Sequence, residues 1–447
     1  MLRPALLAAA IAAAFPAYAD SDLDALRAEL KAIKSSYEAR IQALEARLEK
    51  PESPSAQAAA LPQQATAASA SNRFNPDISL ILQGRYAHLQ EAGERRIAGF
   101  LSGGGHGADA ARGFSLDGTE LVMSASIDPN FRGHLILALQ DEAAEIEEAW
   151  FQTTGLGNGL SLKGGRFRSG LGYQNEQHPH AWDFADNSLM YRALFGEAYG
   201  NDGVQLKWVA PTDLFMEFGA EAGRGANFPG TDRNTNGAGS VALFGHLGGD
   251  VGVSHSWRAG VSYLHAKARD RDSELEDMNG VHAETLFSGK SKTWVADGVW
   301  KWAPNGNARE QNVKLAAEYF RRSERGSLLC GDNSAESGAC TGLDDAYRSR
   351  QSGFYAQGVY QFMPRWRTGY RYDRLNPGTV DFGANSTSLP TTETTPTRHS
   401  LMLDYSPSEF SRLRLQYSRD KSMENLSENQ WFVQYVHSLG SHGAHKF

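Results

Sequence analysis

From Phe74 onward the chain is a succession of short runs in which polar and apolar residues alternate, and this pattern limits the fold more than any other feature. In 411–418, Arg412, Arg414, Gln416 and Ser418 alternate with Leu413, Leu415 and Tyr417. In 365–373, Arg365, Arg367, Arg371 and Asp373 alternate with Trp366, Thr368, Tyr370 and Tyr372. In 311–322, Lys314, Glu318 and Arg322 alternate with Val313, Leu315 and Tyr319. Side chains two apart share one face of a strand, so each run is a strand with one wet and one apolar face. Either a sandwich or a membrane barrel with a wet lumen satisfies that pattern.

Connection lengths separate the two. Short links at 128–130, 155–159, 210–213, 248–252, 303–307, 363–364 and 406–409 alternate with long ones. The long links are 89–115, 170–200, 224–239, 268–290, 324–347, 376–397 and 421–428. Only the link near Glu142 breaks the rhythm. Short turns at one end and long loops at the other are the layout of an outer-membrane barrel. A first count gives 17 runs, and an odd number puts the chain ends on opposite sides. Assigning 281–288 to the loop 268–290 restores alternation and leaves 16 strands. The expected fold is therefore all-β, a 16-stranded antiparallel transmembrane barrel over 77–447, preceded by an N-terminal coiled-coil helix.

Composition agrees. Gly is 46 of 447 residues and aromatics are 10%, which suits strands and turns, while a mean hydropathy of −0.47 excludes a helix-bundle membrane protein. A net charge of −8 argues against a nucleic-acid partner.

Residues 1–19 read as a signal peptide: Arg3, an apolar stretch from Leu6 to Phe15, and the Ala17-Tyr18-Ala19 cleavage pattern. Residues 20–50 follow as a periplasmic coiled coil. Leu23, Leu26, Leu30, Ile33, Tyr37, Ile41, Leu44 and Leu48 keep one apolar seam for about four heptads. That seam predicts a coiled coil that joins subunits, and Pro51 ends it. Residues 51–76 are an Ala/Gln/Ser/Pro linker. Phe447 supplies a terminal aromatic after the last amphipathic run.

On these residues the chain resembles a bacterial porin. Gly165-Arg166-Phe167, a long loop, then Asp202-Gly203-Val204-Gln205-Leu206 is similar to the corresponding stretch of the phosphate-selective porin family. That resemblance implies a trimeric 16-stranded channel with an N-terminal helical segment. The runs 75–82, 176–184 and 443–447 also resemble poorly characterised outer-membrane proteins labelled zinc-regulated or TonB-dependent receptors. Such a receptor needs a folded plug inside a 22-stranded barrel, and residues 20–76 are too few for one.

The expected pore-lining set is Arg85, Arg132, Lys207, Glu217, Glu221, Arg258, Lys314, Glu318, Arg322, Arg365, Arg367, Arg371, Asp373, Arg412 and Arg414, with Glu120 among the acids. Arg concentrates in the last strands and free acids in the early ones, which predicts a transverse field across the lumen. His178 and His180 flank Pro179 in the longest early loop. With Glu176 and Asp183 they form a candidate site for Zn²⁺ or another divalent ion, although the fold itself requires no cofactor. Cys330 and Cys340 lie in one loop of an exported chain, which predicts a disulfide.

No enzyme motif is present: Glu284 stands where a P-loop ending in Gly289-Lys290-Ser291 needs glycine, and no G-x-S-x-G occurs. The expected function is an outer-membrane channel for small hydrophilic solutes or ions, surrounded by outer-membrane lipid and narrowed by loop 170–200. The alternatives are a plug-less surface receptor for a metal ion or metal complex, and a barrel-embedded hydrolase.

Overall fold

The computed structural model describes residues 76–91, 95–101, 111–116, 118–140 and 143–440. The signal peptide, the heptad helix, almost all of the linker, and Phe447 lie outside the described residues.

The described residues build a closed antiparallel sheet. Its first half contains β1 (Asp77–His88), β2 in two pieces (Gly113–Leu116 and Thr119–Asp128), β3 (Phe131–Gln140) and β4 (Ala143–Thr153). Then come β5 (Leu160–Arg168), β6 (Gly200–Val209), β7 (Phe215–Gly223) and β8 (Ser240–Val251). The second half is β9 (His255–Glu276), β10 (His282–Trp302), β11 (Asn312–Cys330) and β12 (Leu343–Met363). It ends with β13 (Trp366–Asp381), β14 (Thr397–Ser408), β15 (Ser411–Lys421) and β16 (Glu428–Gly440). Both pieces of β2 pair with β1, at Gly84–Ala87 and at Asp77–Ile81, so they are one interrupted strand and the barrel has 16. Closure comes from β1 against β16, from Ser79 opposite Gly440 to His88 opposite Trp431.

Burial is inverted relative to a water-soluble domain. Gln83, Gln205, Glu221, Glu318, Arg371 and Gln416 are buried inside, while Trp294, Leu315, Leu401, Leu413 and Leu415 are exposed outside. A lipid-facing surface and a wet lumen demand this arrangement. Aromatic pairs sit beside the short turns, among them Trp366 with Tyr405 at 4.7 Å between ring centroids and Trp208 with Phe218 at 6.1 Å. They match the interfacial girdle of a membrane barrel.

Strands run into three of the expected long loops, and 268–290 is mostly strand. All of the run 281–288 but its first residue is the start of β10, and the connection from β9 spans only 277–281. The count stays at 16 because the run extends a neighbouring strand instead of adding one. Likewise β11 continues to Cys330 and β13 to Asp381. These strands reach 19–22 residues in β9 to β12. At ~3.3 Å per residue they extend to about 60–70 Å, far beyond an apolar band of ~25 Å. Past the lipid both faces are wet, so alternation disappears, as in Arg269-Asp270-Arg271-Asp272.

Candidate functional site

The chain between β5 and β6 turns into the barrel instead of outward. It carries α1 (Leu189–Phe195), where Leu189, Met190, Tyr191, Ala193, Leu194 and Phe195 are all buried. A helix apolar on nearly every side belongs in an interior, and Gly196 stops it in the left-handed conformation at φ 61°. These residues pack on Leu264, Val295, Phe320, Tyr355 and Leu375 of the wall, joined by Ile97 and Phe100 from the β1–β2 connection. A second apolar cluster, with Leu101, Phe287, Leu328, Tyr347 and Phe382, lies nearer the long-loop end. The lumen is therefore crossed by packed protein.

Polar anchors tie this inner loop to the wall on several sides. At its start, Glu221 on β7 accepts hydrogen bonds from Ser169 Oγ at 2.6 Å and the Gly170 amide at 3.0 Å. Glu318 on β11 accepts from the amides of Tyr173 and Gln174 at 2.9 and 3.0 Å, and from the Tyr355 hydroxyl at 2.8 Å. Gly172 allows that approach: at φ +66° a Cβ would stand 2.3 Å from a Glu318 oxygen. Asp183 pairs with Lys314 and lies 3.6 Å from Arg367. Asp186 pairs with Arg371 and Arg398, each at 2.8 Å. The Leu189 amide donates to Asp373 at 3.0 Å.

The opposite corner gathers His178 and His180 against glutamates of β2 and β4. His178 Nδ1 is 3.3 Å from Glu120 and 3.0 Å from Glu147, and its Nε2 is 2.8 Å from Glu148. His180 Nδ1 is 3.3 Å from the other Glu120 oxygen. A β-bulge explains why adjacent Glu147 and Glu148 both reach this corner: Ile136 pairs with Glu148 but Leu137 with Ile146, leaving Glu147 as the extra residue. Gly118, at φ +74°, leaves room for Pro179, whose Cβ would be 3.0 Å from a Cβ at 118. Asp183 sits with Lys314 instead of with the histidines, and Glu120, Glu147 and Glu148 take the places expected for Glu176 and Asp183. Two consecutive glutamates inside an otherwise alternating run were the sequence signal for the bulge.

The other expected lining residues are distributed around this loop. Lys207 pairs with Glu217 at 3.0 Å, Arg258 donates to the Gly172 carbonyl at 3.2 Å, and Arg322 donates to Gln351 at 3.0 Å. Arg85 lies over the Phe432 ring at 5.8 Å. Arg132 is exposed next to the short turn after Asp128. Arg365 occupies the β12–β13 turn at φ 72°, exposed and off the strand. Arg414 is buried on Asp404 at 2.7 Å, and Arg367 reaches the same carboxylate at 2.5 Å. The basic wall is thus interleaved with Asp183, Asp186, Asp373 and Asp404. Arg412 is in no ion pair among the described residues, and it donates to the His180 carbonyl at 2.6 Å. A cavity of about 640 Å³ opens at the short-turn end, lined in part by Asp250, Lys301, Lys314 and Arg367. Cys330 and Cys340 form a disulfide that begins and nearly spans the β11–β12 connection.

No protein-family model matches the chain. An uncharacterised protein of Aquifex aeolicus (strain VF5) is 31% identical over 398 residues, covering 84% of this chain and 80% of the relative. Among solved structures, a loop L8 deletion mutant of OmpT, an outer membrane protein of Vibrio cholerae, has a TM-score of 0.50 at 12% identity. The match covers 82% of this chain and 99% of that one. The outer membrane channel DcaP of Acinetobacter baumannii has a TM-score of 0.46 at 14% identity, covering 82% and 97%. The anion-selective porin of Comamonas acidovorans has 0.46 at 10%, covering 82% and 99%.

Proposed function

The chain belongs to the same family as the Aquifex aeolicus relative, and from its 16-stranded barrel we propose an outer-membrane channel of the porin type for small hydrophilic solutes or ions. One observation carries this reading. A closed barrel with an apolar outside holds a charged interior, and a loop anchored by hydrogen bonds and ion pairs lies across its path. Water-filled outer-membrane barrels carry a polar interior of this kind. Water and solute passage needs it, and the folded-in loop sets the aperture.

The heptad seam of 20–50 supports a homotrimer, joined on the periplasmic side. The interleaved Arg and Asp side chains fit small polar or charged solutes better than a single-sign filter for one anion class. The experiment is planar-bilayer recording of the purified full chain in several salts. Stepwise conductance, larger when the inner loop is loosened by Asp186→Ala, is the expected result.

The packed lumen favours one second reading, a closed receptor that captures a metal ion or metal complex at its surface loops. Silent records from both the wild type and Asp186→Ala would overturn the channel in favour of that receptor.

A further inference from the structure

Five buried donor atoms converge where the inner loop meets β2 and β4. Glu120 is 1% exposed, and neither of its carboxylate oxygens has a hydrogen-bond partner. Glu147 Oε1 accepts from Arg168 at 3.1 Å, which leaves Oε2 buried and without a hydrogen bond. His178 Nδ1 is likewise buried without one, although it faces Glu120 at 3.3 Å and Glu147 at 3.0 Å. Glu120, Glu147 and His178 each offer one atom within 4.8 Å of the others, and His180 Nδ1 stands 3.3 Å from the second Glu120 oxygen. Aligned donors in a dry corner form hydrogen bonds, because an unsatisfied buried carboxylate is costly. His178 Nδ1 and the two carboxylate oxygens it faces, at 3.0–3.3 Å, have no other hydrogen-bond partner among the described residues. Their separations suit a common ligand between them.

We propose that Glu120, Glu147, His178 and His180 bind one divalent transition cation of the Zn²⁺ type, clamping the inner loop to the barrel wall. Imidazole nitrogen plus carboxylate oxygen is a donor set for Zn²⁺, with bonds of about 2.0–2.2 Å. Two ligands on a tetrahedral centre with such bonds lie roughly 3.3–3.5 Å apart, close to the separations seen here. The surroundings are those of a metal ligand. His178 Nε2 faces Glu148 Oε1 at 2.8 Å, and Glu148 Oε2 accepts from Trp150 Nε1 at 2.7 Å. A carboxylate behind the imidazole fixes the tautomer that presents Nδ1 to the cation. Two ligands come from the wall and two from the loop, so the cation reinforces a junction that the His178–Glu148 contact and the Arg412 hydrogen bond to the His180 carbonyl already make. The site does not depend on whether the barrel conducts.

The test is metal content of the detergent-purified full chain by plasma mass spectrometry, after Zn²⁺ loading and exhaustive dialysis. Wild type should retain about one Zn²⁺ per chain. Glu120→Gln and His178→Gln should each lower affinity at least 100-fold and lose it, while a control with His255→Ala on β9 and His399→Ala on β14 should keep it. Heat-modified gel mobility checks that each variant is folded, and Glu147→Gln serves in place of any that is not. Cobalt loading of the wild type gives a readout that needs no variant, since Co²⁺ held by N and O ligands shows visible d–d bands. Zn²⁺ retention equal in the wild type and Glu120→Gln, or no d–d bands with Co²⁺, would overturn the proposal.

Discussion

Asp186 Oδ1 lies 2.8 Å from Arg371 Nη2, joining the inner loop to a strand 185 residues later. The same carboxylate holds Arg398 at 2.8 Å through its other oxygen. Two guanidiniums on adjacent strands therefore share one anchor on the loop. Breaking a buried pair by removing one partner costs about 3–5 kcal/mol, most of it from the charge left behind. We expect Asp186→Ala to loosen the far end of the loop while Glu221 and Glu318 still hold its start. Single-channel conductance should rise, and trypsin should cut at Arg192 sooner than in wild type. An Asp186→Ala/Arg371→Gln double variant should lose less stability than the two single losses combined, because the pair is coupled. Additive losses would mean that the two side chains act independently.

The barrel was legible because two solvents enforce it. Leu413 and Leu415 must face lipid while Arg412 and Arg414 face the lumen, and that constraint writes period two into the sequence. Where the constraint ends, so does the signal. Residues 281–290 and 324–330 lie in strands that leave the membrane, and there the pattern suits a loop as well as a strand. Inward folding of 169–199 was harder to see. Loop 170–200 was long enough to narrow a pore, but nothing local separates an inward turn of Leu189–Phe195 from a short surface helix. Arg365 was misplaced by one residue of register at a turn. The histidines were visible as a pair, but their partners on β2 and β4 are brought in only by tertiary folding.

Asp277, in the turn between β9 and β10, gives the rim a pH dependence. Its carboxylate accepts from the amides of Ala339 at 2.6 Å, Asn279 at 2.8 Å and Val281 at 3.0 Å, and from the Asn333 side chain at 2.9 Å. Desolvation alone would push its pKa up, but these donors outweigh it and lower the pKa to about 2. A depressed carboxylate stabilises the fold above its unfolded pKa, and the contribution fades as pH falls toward the folded value. The contact between this turn and 331–342 should thus weaken between about pH 4 and pH 2. Pepsin nicking of 331–342 in wild type should climb over that range. In Asp277→Asn it should already be high at pH 4. Identical pH profiles for the two proteins would assign the change to other groups.

Deleting 21–50 separates assembly from barrel folding. The seam from Leu23 to Leu48 has about four heptads, enough for a stable coiled coil, and a linker follows it. We expect the shortened chain to retain heat-modifiable gel mobility, the mark of a folded barrel. Its mass in detergent should fall from a trimer toward a monomer as the protein is diluted. A trimer as durable as the wild type would place the assembly contacts on the barrel wall.

Selectivity tests whether the interleaved lumen charges act as a net field or as neutral pairs. Arg412 enters no ion pair among the described residues, whereas Arg367 is 2.5 Å from Asp404. Guanidinium holds its charge throughout the working pH range, so replacement is the way to remove it. Arg412→Gln makes the fixed charge of the lumen more negative by one, next to the His180 carbonyl of the loop. Arg367→Gln combined with Asp404→Asn leaves the fixed charge unchanged, and Arg414, which shares Asp404, keeps its hydrogen bonds to Gln434 at 3.2 Å and the Trp182 carbonyl at 3.0 Å. In a tenfold KCl gradient, where an ideally selective pore reaches about 59 mV, Arg412→Gln should move the reversal potential toward cation preference by on the order of 10 mV. The double variant should stay near wild type, because a close Arg–Asp pair acts on distant ions mainly as a dipole and salt screens it over about 10 Å. Equal shifts in both variants would show that the position of each charge, and not the sum, governs which ion passes.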